Sequence, residues 1–170
     1  MRIFIRFQFA LPPVKKTPTQ ERSRQTVEAL IEATARTVAE YGWAQTTTNH
    51  IAERAGVSVG SLYQYFENRE QLFAALIERE IGVITGRLDE QIPFMLKADA
   101  ATAIRMSLEV AFIYFESNEK LFTELANNWQ ATGRSDFVDA FEGYMLDAMR
   151  MFMAQNYAAY EPLDLNTLSF

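Results

Sequence analysis

A chain of 170 residues with 49% hydrophobic side chains can form one domain with a real core, or a small domain joined to a medium one. It has no cysteine and a single histidine, His50, which excludes a disulfide framework, thiolate metal sites and most histidine-based ones, so no metal or other cofactor is expected. A net charge of −6 argues against nucleic acid as a partner until the two parts of the chain are separated: residues 1–69 hold nine Lys/Arg against six Asp/Glu, residues 70–170 seven against sixteen.

The start, "MRIFIRFQFALPPVKK", alternates apolar Ile3, Ile5, Phe7 and Phe9 with polar residues and is followed by Pro12 and Pro13. It is more strand-like than signal-like, and no small-residue cleavage site follows it. Residues 1–20 are therefore expected to be an appendage outside the main fold, flexible in character. No segment approaches the roughly 18–20 apolar residues of a spanning helix, so a cytoplasmic protein without membrane contact is expected.

From about Glu21 to Tyr41, the residues Val27, Leu30, Ile31, Ala35, Val38 and Tyr41 recur at spacings of three and four, one face of an amphipathic helix ended by Gly42. The run "TTT" at 46–48 can cap a second helix, roughly Thr48 to Ala55, which Gly56 stops. Ser58 can cap a third short helix reaching about Tyr65. Asn68 with Gln71 resembles a capping box, opening a long fourth helix whose stripe runs from Leu72 and Phe73 to Leu88 and Ile92, up to Pro93.

Residues about 99–116 are apolar nearly all round, which predicts a helix buried on most sides. A further helical face carries Leu121, Phe122, Leu125 and Trp129, and from about Ser135 another carries Phe137, Val138, Phe141, Tyr144, Met145, Ala148, Met149 and Phe152. The last residues, "LDLNTLSF", read as a helix that is starting, which makes a fragment of a longer chain the expectation. No strand run with hairpin chemistry and no repeat is visible. The expected fold class is all-α: a three-helix head over 21–67 and a helical body over 68–170.

The stretch "GVSVG" at 56–60 fits G-x-S-x-G, the pattern around the nucleophile of many hydrolases. That chemistry needs a strand before the serine and an acid and a histidine after it. Here the preceding "HIAERAG" has helical period and the lone His50 precedes Ser58, so no enzyme is expected. Two short helices joined by a tight turn fit the same residues better. Ala52, Ala55 and Gly56 are small where the backbones would cross, and Ile51, Val57 and Leu62 supply an apolar plug.

The run "AEYGWAQTTTNHIAERAGVSVGSLYQYFENREQL" resembles the DNA-binding domain of the TetR family of bacterial transcriptional repressors. The similarity spans about Arg24 to Leu72; Glu67 stands where proline, glycine or lysine is common and Arg69 where lysine is. The resemblance implies a helix-turn-helix head, a ligand-binding and dimerising helical body, and a homodimer that sets paired recognition helices in successive major grooves of an operator. It also implies a small-molecule effector that lowers operator affinity.

On this reading Thr47 or Thr48 caps the second helix while the other hydroxyl reaches a phosphate, and Ser58 is first the cap of the third helix and second a phosphate donor. Tyr63 and Tyr65 are candidate phosphate anchors, although packing of one of them on the first helix is an alternative. Asn49, Ser61 and Gln64 are candidates for base-edge contact, with Gly60 allowing close approach and Arg69 keeping a cation nearby. His50 is a further groove candidate, and Lys15, Lys16, Arg22 and Arg24 could form a basic arm. For the body, Phe94, Phe112, Phe115, Phe122, Trp129, Phe141, Tyr144, Met145 and Met149 are candidate lining for a hydrophobic or aromatic effector, with ordinary core as the alternative. The competing function is an all-α small-molecule-binding or helix-interaction protein that does not bind an operator.

Overall fold

The computed structural model describes residues 21–128 and 134–156, with only the helical backbone described over 134–141. Seven helices run through the described residues, with no strand among them: α1 (Glu21–Tyr41), α2 (Thr48–Arg54), α3 (Val59–Leu62), α4 (Arg69–Met95), α5 (Ala100–Ser117), α6 (Glu119–Asn127) and α7 (Arg134–Asn156).

The helix boundaries follow from local chemistry. Gly42 sits at φ 81° and its N–H reaches the Val38 carbonyl at 2.9 Å, closing α1 in a left-handed cap that a Cβ would strain. Thr47 accepts from the His50 N–H, Ser58 from the Ser61 N–H and Asn68 from the Gln71 N–H, so α2, α3 and α4 each start on a side-chain cap. Gln71 returns its Oε1 to the N–H of Glu67 at 2.8 Å, a capping box displaced by one residue. Between α2 and α3, Gly56 at φ 69° bonds back to Glu53 and the Val57 N–H to Ala52, a Schellman closure that turns the chain sharply.

α3 ends at Leu62 instead of about Tyr65, and two longer elements also depart from the sequence reading. α4 continues through Pro93 to Met95, because a proline in the last turn forgoes one backbone bond while Leu96, Lys97 and Ala98 still bond back to Ile92, Phe94 and Met95. α5 is not buried on most sides: only Ala103 and Tyr114 are buried, whereas Ile104, Leu108, Phe112, Ile113 and Phe115 are exposed. The all-round apolar pattern therefore reports side chains that the described residues leave uncovered.

Two apolar clusters organise the molecule. The larger joins Leu30, Val38, Trp43, Ile51, Leu62, Phe66, Leu72 and Leu76 with Leu121 and Leu125 of α6. At roughly 1.5–3 kcal/mol for each large side chain removed from water, it fixes the short α2 and α3 on α1 and α4. Its buried threonines are satisfied locally: Thr34, Thr37 and Thr46 donate to the carbonyls of Leu30, Ala33 and Gly42. The smaller cluster sets Ile84 and Leu88 of α4 against Tyr114 of α5 and Tyr144 of α7. α4 belongs to both.

Replacing Gly42 with alanine forces a Cβ into the left-handed region and to 3.3 Å from the Glu124 carboxylate. Urea unfolding of Gly42→Ala is expected to show a loss of about 1–2 kcal/mol. A loss below about 0.5 kcal/mol would contradict the strain assigned to this turn.

Candidate nucleic-acid interface and apolar cavity

α3 has four residues, and its position is set from beneath. Leu62 and Phe66 are fully buried in the larger cluster, so the opposite side, with Gly60, Tyr63 and Gln64, faces solvent. Ser58 Oγ lies 2.8 Å from Ser61 Oγ and accepts the Ser61 N–H at 3.1 Å, which confirms it as a helix cap and places it after a helix, not a strand. No acid–histidine relay meets it, since His50 lies in α2 with its ring 5.1 Å from Tyr41.

The candidate contact residues collect on this solvent face, although not all in the same way. Tyr63 is 44% exposed and its hydroxyl lies 3.2 Å from Thr48 Oγ1, tying the start of α2 to the end of α3. Thr47 and Asn49 are exposed at the start of α2. Tyr65 is instead half-buried against the larger cluster. Arg69 turns inward: it donates to the carbonyls of Thr46 at 3.0 Å and Ala44 at 3.4 Å, and its guanidinium stacks 5.2 Å from the Phe73 ring. It braces the turn before α2. Arg54 is bound to Glu40 and Arg24 to Glu21, while Lys15 and Lys16 lie outside the described residues.

Gly60 is informative. A Cβ built there would meet only Ser58 Oγ at 3.8 Å, an ordinary contact, and its backbone is not left-handed. Nothing within the described chain requires glycine in this helix, where alanine is favoured by about 1 kcal/mol.

Behind the head, α4, α5, α6 and α7 enclose an apolar cavity of about 440 Å³. Ile77, Ile81, Ile84 and Leu88 form its floor, Phe122, Leu125 and Ala126 one end, and Leu108, Phe115 and Met145 an open side. A second apolar cavity of about 410 Å³ shares Ser107 and Met145 with the first and extends the same face of α4 to Ile92 and Met95. From Ile77 to Ile92 the helix rises about 22 Å. Of the aromatic candidates, Phe115 and Phe122 line the first cavity and Met149 the second, with Met145 in both. Phe94 and Phe112 are more than 60% exposed and line neither. Tyr144 is buried, its hydroxyl donating to Asp89 Oδ1 at 2.8 Å. Trp129 and the side chain of Phe141 lie outside the described residues.

The cavity's polar wall was not foreseen from the sequence. Glu80, buried on α4, accepts from Arg79 at 2.7 Å and from the Tyr114 hydroxyl at 2.5 Å, and Arg79 also reaches Glu32 on α1. Burial first and the Glu80 carboxylate second push the Tyr114 phenol far up, so it stays a donor. With Glu80 so occupied, and Ser107 donating to the Ala103 carbonyl, the cavity offers a ligand hydrophobic contact and little hydrogen bonding. Among the described residues, no cluster of side chains suited to a metal ion occurs and no helix is long and apolar enough to cross a membrane.

Residues 30–76 match the family described as bacterial regulatory proteins, tetR family. The chain is 28% identical over 105 residues to a fatty acid metabolism regulator protein of Bacillus subtilis, covering 62% of this chain and 54% of that one. It is 39% identical over 80 residues to the nucleoid occlusion factor SlmA of Actinobacillus pleuropneumoniae, covering 46% and 38%. The chain thus spans about half, or less, of the length of these relatives. In fold it superimposes on the fatty acid degradation regulator FadR of Bacillus halodurans with a TM-score of 0.64 at 22% identity, over 89% of this chain and 77% of that one. A TetR-family regulator of Haemophilus influenzae gives 0.54 at 20% identity, over 74% and 71%.

One half-buried carboxyl group on α4 gives a pH dependence that can be tested. Glu78 on α4 has a buried Oε2 with no hydrogen-bond partner among the described residues, and burial pushes its carboxyl up from 4.5 to about 7. Between these values the folded chain holds a proton that the unfolded chain releases, so stability is fully present below about 4.5 and falls as pH rises through about 7. Glu78→Gln is expected to remove this fall: urea midpoints of variant and native protein should diverge from pH 5 to pH 8, in the variant's favour. Parallel profiles would contradict the assignment.

Proposed function

We propose that this chain, which carries the TetR-family DNA-binding domain in residues 30–76, is a ligand-responsive DNA-binding transcriptional regulator, a repressor released from its operator by an apolar effector. The observation that carries the DNA reading is the solvent face of α3. A four-residue helix is pinned by Leu62 and Phe66, capped by Ser58, and kept bare at Gly60 although the fold has room for a side chain there. The requirement for glycine then lies outside the chain, in the close approach of backbone to a groove. Tyr63, Thr47 and Thr48 would hold phosphates, and Asn49, Ser61 and Gln64 base edges, with Tyr65 and Arg69 supporting the face from behind.

The effector reading rests on the two apolar cavities along one face of α4. Their combined run of about 22 Å, with the one carboxylate among its described lining residues already paired, suits a long apolar chain better than a compact polar molecule. Two of the similar proteins bear names that refer to fatty acid metabolism or degradation, which favours an effector of that kind here. A cytoplasmic homodimer without catalytic activity belongs to the same proposal. Two heads are needed to span two half-sites, and the apolar side chains exposed on α5 offer surface for a second copy.

Binding to a labelled duplex tests the DNA reading. Affinity is expected to fall as salt rises. Gly60→Ala should leave the unfolding midpoint unchanged or slightly raised, yet weaken duplex binding at least about ten-fold. Tyr63→Ala should weaken binding evenly across sequences, whereas Gln64→Ala should alter sequence preference. Full duplex affinity in Gly60→Ala, or binding indifferent to salt, would overturn the proposal.

A further inference from the structure

The head and the cavity share a wall, α6, and one of its side chains reaches the turn that starts the head's second helix. α6 is nine residues long; Phe122, Leu125 and Ala126 line the cavity, while Leu121 and Leu125 enter the cluster that holds α1 to α4. Glu124 flanks Leu121 on the side of α6 away from the cavity residues. Its Oε2 accepts the backbone N–H of Trp43 at 2.8 Å, across 81 residues of sequence. The contact depends on Gly42, since a Cβ there would lie 3.3 Å from the same oxygen.

What Glu124 holds is the turn that orients α2. The Trp43 ring packs 3.9 Å from Phe73 of α4, the Gly42 carbonyl accepts from Thr46, and Arg69 grips the carbonyls of Ala44 and Thr46 from the other side. The next residue, Thr47, caps α2, and Thr48 meets Tyr63 of α3. The turn is thus fixed by α4 on one side and by a single α6 carboxylate on the other. We propose that Glu124 is a positioning residue for the DNA-binding head: its carboxylate, bound to the Trp43 amide, sets the α1–α2 turn and passes displacement of α6 by a cavity ligand to α2 and α3. The ligand half of this inference rests on the function proposed above; the positioning half does not. A carboxylate is suited to the task because its bond to a backbone N–H is charge-assisted, stronger and shorter than a neutral one. Its reach from a short helix means that a small shift of α6 breaks or keeps the bond.

The test uses the full chain in three forms: native, Glu124→Gln and Glu124→Ala. Glutamine keeps an oxygen acceptor and alanine removes it. Without ligand, amide hydrogen exchange at Trp43 should quicken at least about ten-fold in Glu124→Ala and stay near native in Glu124→Gln, while amides in the middle of α4 are unchanged. With 1-dodecanol as an uncharged apolar probe, binding should agree within about two-fold in all three. Saturating probe should shift the Trp43 amide resonance and weaken duplex binding about five-fold or more in the native and Gln forms, but less than two-fold in the Ala form. Unchanged Trp43 exchange in Glu124→Ala overturns the positioning role. A full probe response in Glu124→Ala overturns the relay. Failure of dodecanol to bind any of the three refutes the apolar-cavity reading, and with it the relay, while the exchange result still decides the positioning role.

Discussion

A helix of four residues cannot sustain itself in water, because nucleating a helical turn costs more than so few hydrogen bonds return. α3 exists because Leu62 and Phe66 are buried on the core of α1, α2 and α4, and because Ser58 and the Schellman turn at Gly56 deliver the chain to that spot. The dependence shapes the rest of the head. Everything that packs does so on one side, and the other side is left to small and polar residues from Ser58 to Gln64. A face built this way is rigid without being stable on its own, which suits presentation of side chains to a partner.

The same economy links the head to the body. α4 runs through both apolar clusters, and α6 contributes to the head's core while walling the cavity. Leu125 of α6 thus belongs both to the cavity lining and to the core of the head. The polar links follow this division: Arg69 and Glu124 hold the α1–α2 turn from α4 and α6, and Glu80 ties α4 to α5 through Tyr114. These are few contacts, each between groups that would be costly to leave unpaired.

The head was largely legible in the sequence, because its boundaries are local chemistry. Thr47, Ser58 and Asn68 cap helices as their types and spacing suggest, and Gly42 and Gly56 adopt the positive φ for which glycine is suited. The inward turn of Arg69 was not legible, since the carbonyls it meets lie more than 20 residues upstream. The body was harder. Its helices follow from periodicity, but α5 is apolar on several faces, and pattern alone does not say whether neighbours cover them; Ile104 and Phe112 turn out exposed. Among the effector candidates, Phe115, Phe122 and Met145 meet at the cavity, yet its floor is made of Ile77, Ile81 and Ile84, read only as the buried stripe of α4. Glu80 and Glu124 gave no signal at all, because an acidic residue on a helix looks like a solvated one until its partner, 34 or 81 residues distant, is placed beside it.

The central claim is that the surface formed by residues 47–49 and 58–65 meets DNA. Titration of the isotope-labelled chain with a duplex, followed amide by amide in nuclear magnetic resonance spectra at low salt, tests it most directly. Shifts concentrated at Thr47 to Asn49 and Ser58 to Tyr65, with the middle of α7 unmoved, are the predicted result. A duplex that perturbs some other surface, or none, would contradict it.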